Sequence, residues 1–186
     1  ANTLARTRRP FSKEGNVGAF VSHKRILGTS MDNVVFGTDM RARLSDTATV
    51  NGAQLSSSTT LADGSRLGGN VGGLGLNYEN REWEVDAGGH FVSKDFRAEN
   101  GFVTETDLLG SSLEVERMFY PEGRFLRTWK LETSGSAAWR FDGSMRSFNT
   151  RPGLSMRFQR NTWAYVSGEV WGEEYEDQFF QGASGM

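Results

Sequence analysis

Apolar and polar residues alternate with a period of two through most of this chain, and such segments form strands with two unlike faces. In residues 82–92, Trp83, Val85, Ala87, Gly89 and Phe91 share one face, opposite Glu84, Asp86, Gly88 and His90. In 34–44, Val34, Phe36, Thr38, Met40, Ala42 and Leu44 stand opposite Val35, Gly37, Asp39, Arg41 and Arg43. In 137–147, Ala137, Trp139, Phe141, Gly143 and Met145 oppose Ala138, Arg140, Asp142, Ser144 and Arg146. The three-and-four apolar spacing of a helix is nearly absent. The pattern predicts ten strands, over 15–23, 33–44, 48–60, 70–79, 82–92, 110–120, 124–133, 137–148, 153–160 and 163–171.

Most of these run longer than the usual five or so residues of a globular strand, and approach the roughly 9–11 that cross a bilayer when tilted. Short links are expected at Ser45–Thr47, Glu79–Arg81, Pro121–Gly123 and Asn149–Pro152, all at one end of a meander. The other end carries the longer links Lys24–Asp32, Leu61–Gly69 and Phe91–Leu109, with short ones near 134–136 and 161–162. Short turns on one rim and long loops on the other describe outer-membrane barrels. Aromatic rings at strand ends fit the same picture: Tyr78, Trp83, Phe119, Tyr120, Trp163 and Trp171 are the candidate membrane-interface residues. The expected fold is therefore all-β, an antiparallel up-and-down transmembrane β-barrel of about ten long strands, or an arc of a larger barrel. Residues 1–14 have no apolar signal-like stretch and read as an extension ahead of a barrel domain over 15–186.

Charge then decides what faces where. Asp39, Arg41, Arg43, Glu84, Asp86, Glu114, Glu116, Arg140, Asp142, Arg146 and Arg157 fall on the polar faces and are the candidate lumen-lining residues. Arginine or lysine at a lipid-facing midplane costs about 2–4 kcal/mol, so these groups must meet water or each other. Acids dominate 82–92 and 110–120 and bases dominate the strands after them, which predicts an acidic strip beside a basic one. Arg117 and Arg127 alternate with apolar neighbours instead; both lie near the Pro121–Gly123 turn, where a long stem can snorkel or a bulge can shift the register.

Several chemistries are not expected. The chain has no cysteine, which removes disulfides and thiolate chemistry. Its two histidines, His23 and His90, have no metal-ligand spacing. His90 with Glu84 or Asp86 and a serine from Ser56–Ser58 could form a hydrolytic constellation, but no spacing demands one, so neither an enzyme nor a cofactor is expected. Gly68–Gly75 leads into a strand rather than the helix of a dinucleotide fingerprint. A net charge of −2 gives no footprint for nucleic acid.

Three stretches resemble a known family. Gly15-Asn-Val-Gly-Ala-Phe-Val-Ser-His-Lys-Arg25 looks like its opening strand, Val34-Val-Phe-Gly-Thr-Asp-Met-Arg-Ala-Arg-Leu44 is similar to its next strand, and Asp95-Phe-Arg-Ala-Glu-Asn-Gly-Phe-Val103 resembles its loop signature. The family is the functionally uncharacterised bacterial outer-membrane barrel domain that commonly follows a domain like the family 9 carbohydrate-binding modules. The resemblance implies an outer-membrane barrel linked to glycan handling, with no catalytic residues to carry over. The family's barrel is longer, so a fragment of a larger barrel is expected. The functional expectation is an outer-membrane barrel with a charge-lined lumen, a pore or transport component whose partner is the lipid bilayer. Two alternatives stand beside it. One is a soluble antiparallel barrel or sandwich that binds an apolar ligand or a partner and buries Trp83, Val85, Phe91, Trp139 and Phe141; the other is a structural subunit docked on other envelope proteins.

Overall fold

The computed structural model describes residues 1–101, 103–175 and 178–185. Its elements are β1 (Asn2–Pro10), β2 (Asn16–Arg25), β3 (Asp32–Arg43), β4 (Ala48–Thr60), β5 (Arg66–Glu79), β6 (Trp83–Val92), β7 (Leu108–Phe119), β8 (Leu126–Trp139), β9 (Met145–Phe158), β10 (Trp163–Tyr175) and β11 (Gln178–Gly185). The only helical turn among the described residues is a 3-10 turn at Gln159–Asn161. The strands form one antiparallel sheet in sequence order from β1 to β11. All-β and up-and-down are thus established, and β1 and β11 are the two edges of an open sheet. No helix among the described residues is long and apolar enough to cross a membrane, which leaves spanning by strands untouched.

Strand number and boundaries differ from expectation in three places. Residues 2–10 are strand, not extension: β1 pairs with β2 from Asn2↔Lys24 to Pro10↔Asn16. Its Arg-rich sequence hides the alternation. At the other edge, β11 pairs with β10 from Tyr175↔Gln178 to Gly168↔Gly185. Between them, the three strands expected over 124–160 are two. Gly135 and Pro152-Gly153, which look like turns, lie inside the β8–β9 ladder as Gly135↔Thr150, Thr133↔Pro152 and Glu132↔Gly153. Proline has no N–H for a ladder. The β9–β10 pairing steps from Gly153↔Ser167 to Thr150↔Val170 and leaves Pro152 without a ladder partner on that side.

The true turn is Arg140–Ser144, and it repeats the link at Leu61–Ser65. In each, an Asp-Gly-Ser sequence places glycine at positive φ, +84° for Gly64 and +89° for Gly143, a region that costs glycine nothing. Gly64 and Gly143 donate their N–H groups to the carbonyls of Leu61 and Arg140, both at 3.0 Å. The carboxylates of Asp63 and Asp142 accept the hydroxyl and amide of Ser65 and Ser144. Those bonds hold both carboxyls below their ordinary value, the serine hydroxyl contributing most. The unfolded carboxyl takes its proton first as pH falls. The contribution of each turn is therefore intact above the ordinary value of about 3.9 and fades as pH drops through the lower folded value. Carbon-13 titration should find both midpoints below that value, and Ser144→Ala should move the Asp142 midpoint back up while leaving that of Asp63 unchanged.

The links are also more even than expected. Strands β2, β3 and β5 take up the ends of the anticipated loops, leaving residues 26–31 and 61–65, and only the link at residues 93–107 is long. The asymmetry of the two rims reduces to that one loop.

By its internal contacts the chain divides into two units, Ala1–Gly75 with Gly89–Leu109, and Leu76–Gly88 with Gly110–Met186. Neither has an ordinary core. The buried apolar side chains among the described residues are Val35 and Phe96, both in the first unit, while Phe36, Leu74, Leu113, Leu131 and Val166 are about half exposed or more.

Candidate functional site

In the first unit, strand pairing assigns the two faces of β1–β4. Asp39 is level with Gly18 on β2 and Ala53 on β4, so its face carries Arg6, Arg8, Arg41 and Arg43. Arg6 reaches the Asp39 carboxylate at 2.8 Å and Arg8 at 3.5 Å across the intervening strand. These two bases lay in the segment read as an extension, so the sequence reading did not count them on this charged face. Arg43 faces the predicted side, but it pairs with Glu14 and donates to the carbonyls of Ser45 and Asp46, tying down turns at the end of the sheet.

The same face carries the long loop. Phe96 is buried beneath it, and a side chain at Gly69 would overlap the Phe96 backbone, so only glycine lets the loop lie this close. Buried polar side chains pin it. Asn33 Nδ2 donates to Thr59 Oγ1 at 2.8 Å and to the Arg97 carbonyl at 3.1 Å, while Asn33 Oδ1 accepts the Glu99 amide at 3.1 Å. Ser57 accepts the Arg97 amide, and Ser22 accepts Asn100 Nδ2 at 2.9 Å. Lys24 donates to the Glu99 carbonyl. This is the stretch with the family-like Asp-Phe and Gly-Phe-Val signature; Phe102 lies outside the described residues. Under the loop, Leu4, Phe20, Val35, Leu55, Val71, Val92 and Phe96 line a cavity of about 380 Å³.

In the second unit, the charged face of β6–β10 holds Glu84, Asp86, Glu114 and Glu116. Asp86 accepts Asn77 Nδ2 at 3.0 Å. Lys130 sits between Glu116 at 2.7 Å and Glu132 at 2.6 Å. Arg151 pairs with Glu169 at 2.9 Å, and Asn149 donates to the same carboxylate. Cross-strand pairing of opposite charges, anticipated from the sequence, is therefore present, through Lys130 and Arg151.

Three candidates leave the expected wall. Arg140 and Asp142 lie in the 140–144 turn, with Arg140 paired to Glu174 at 2.7 Å, and Arg146 is skipped where the β8–β9 register shifts from Ala138↔Ser147 to Trp139↔Met145. The cause is the misplaced turn, which moved these residues onto a strand that does not exist. Arg157 stays on the charged face, level with Thr128 and Trp163. The basic strip thus shrinks to Lys130, Arg151 and Arg157 among acids.

The opposite face of this unit is apolar and ring-bounded. Phe119 and Trp129 stack with centroids 3.8 Å apart and planes 4° from parallel. Arg117 lies over Trp83 and Phe119, 4.7 and 4.6 Å from the ring centres, so this charge is held by aromatic faces. Arg127 is the bulge residue between Leu126↔Phe158 and Thr128↔Arg157. Tyr120 donates to the Arg81 carbonyl, and Tyr78 accepts from Asn80. Farther along, Phe148 stacks near Phe179 at 6.1 Å. Trp163 and Trp171 depart from this arrangement: pairing with Arg157 and Asn149 puts both on the charged face, and β10 continues past Trp171 to Tyr175.

Among the described residues no group of three or more histidine or acidic side chains is placed to hold a metal. His23 pairs with Asp32 at 2.8 Å, Ser56 donates to Asn70, and Ser57 serves the loop, so no serine–histidine bond forms among the described residues. No family model, curated protein or solved structure matches the chain.

Proposed function

We propose that this chain is wall of a bacterial outer-membrane β-barrel with a polar, charge-lined lumen, acting as a pore or transport component rather than an enzyme. One observation carries the reading: the uncovered apolar face of the second unit is bounded by aromatic rows at the spacing a bilayer requires. Trp129 and Trp139 share a face of β8, ten residues apart. At about 3.3 Å per residue that is about 33 Å along the strand, and a tilt of 35–45° reduces it to about 25 Å, the height of an outer-membrane apolar band. Between the two rows lie Leu131, Thr133, Gly135 and Ala137, while Lys130, Glu132 and Ser134 face away. Lipid supplies the layer that an apolar sheet face otherwise lacks.

The long loop, folded onto the charged side of the first unit, then narrows the lumen. The resemblance to the uncharacterised barrel family adds a link to glycan handling and to the remainder of a larger barrel.

Refolding into phosphatidylcholine vesicles should give a heat-modifiable gel band and a strand-type circular dichroism spectrum. Brominated lipid should quench Trp129 and Trp139 in this state. A monodisperse, detergent-free soluble protein whose tryptophans escape the quencher overturns the reading. Of the core that the soluble alternative requires, Trp83, Val85, Phe91 and Trp139 are partly buried and Phe141 is 56% exposed.

A further inference from the structure

We infer that the cavity beneath the 93–107 loop is a binding site for a small, neutral, mainly apolar molecule carrying one hydrogen-bond acceptor oxygen. It needs neither a bilayer nor a closed lumen, because every residue lining it belongs to the first unit. The polar face of these strands is ionised around Asp39, yet toward the loop it turns apolar, with Phe20, Val35, Leu55 and Val71 as floor and Phe96 as a wall. A space of about 380 Å³ lies within the range of ligand pockets, and an apolar lining of this kind takes apolar guests in preference to water.

The polar groups at the cavity set the ligand's one polar requirement. Ser22 is buried, and its Oγ accepts Asn100 Nδ2, which leaves its own hydroxyl hydrogen to offer to a ligand acceptor. Thr104 contributes a second hydroxyl at the lining. No base lines the cavity, which argues against an anionic ligand, and the one carboxylate at the lining, Glu105, already has a partner within the protein. A ketone, ester or ether oxygen on an otherwise apolar skeleton satisfies both features. The loop's bonds to Asn33, Ser57 and Ser22 hold the space open without filling it.

Benzophenone is a neutral aromatic ketone that inserts into nearby C–H bonds under ultraviolet light, and it is the probe for the test. Irradiation of the full chain should give saturable adducts on peptides containing Val35, Leu55, Val71 or Phe96. Val71→Trp fills the cavity and should abolish those adducts; Leu4→Trp, on the exposed edge strand, should do the same with less risk to folding. Leu113→Trp, in the second unit, should leave them unchanged. Adducts that rise linearly with benzophenone, or that persist in both filling variants, overturn the site. Heat-modifiable migration, measured on the same samples, reports separately on the barrel.

Discussion

Arginine at Val170 should destabilise the membrane-inserted protein by about 2–4 kcal/mol, the cost of a cation at the lipid-facing midplane. Val170 is level with Thr150, and Thr150 with Gly135, six positions along β8 from Trp129 and four from Trp139. It stands 44% exposed on the apolar face. Ser136→Arg moves the same charge to the other face, beside Asn149 and the Glu169 carboxylate, and should change stability little. Urea titration of both variants in lipid vesicles measures the difference. A water-exposed sheet surface would tolerate either arginine within about 0.5 kcal/mol. Equal midpoints for the two variants therefore remove the bilayer from the account.

Long alternating runs made β2 to β7 readable within a few residues, because each has one face that must stay apolar and one that must not. The errors came where a local signal competed with pairing. Gly135 and Pro152 are breakers by propensity, yet the ladder absorbs both. The stronger hairpin signal, Asp142-Gly143, was overridden by an apparent alternation of Trp139, Phe141 and Met145. Its twin at Asp63-Gly64 could have revealed it, since the two links use the same bonds. The edge strand β1 was invisible for another reason: Leu4 serves the cavity, and Arg6 and Arg8 serve Asp39 two strands away. A partner that distant leaves no mark in a local window. The cavity was illegible as well, since its lining comes from six strands and a loop.

Removing the Asn33 amide should release the 93–107 loop. Its side chain is 3% exposed and serves three groups at once, Thr59 Oγ1, the Arg97 carbonyl and the Glu99 amide. Asn33→Ala leaves the loop groups in a dry environment without partners, at about 1–3 kcal/mol each. A loop held by a few such bonds opens far more readily than the strands beneath it. With each 1.4 kcal/mol worth a factor of ten, exchange of the Arg97 and Glu99 amides should accelerate about ten- to a hundredfold. Gly69→Val reaches the same end sterically, because its side chain meets the Phe96 backbone while every hydrogen-bonding group remains. If the loop narrows a lumen, both variants should also raise single-channel conductance in planar bilayers. Faster exchange with unchanged conductance would keep the loop pinned by Asn33 but take it off the permeation path, and unchanged exchange in both variants would show that these bonds do not hold it.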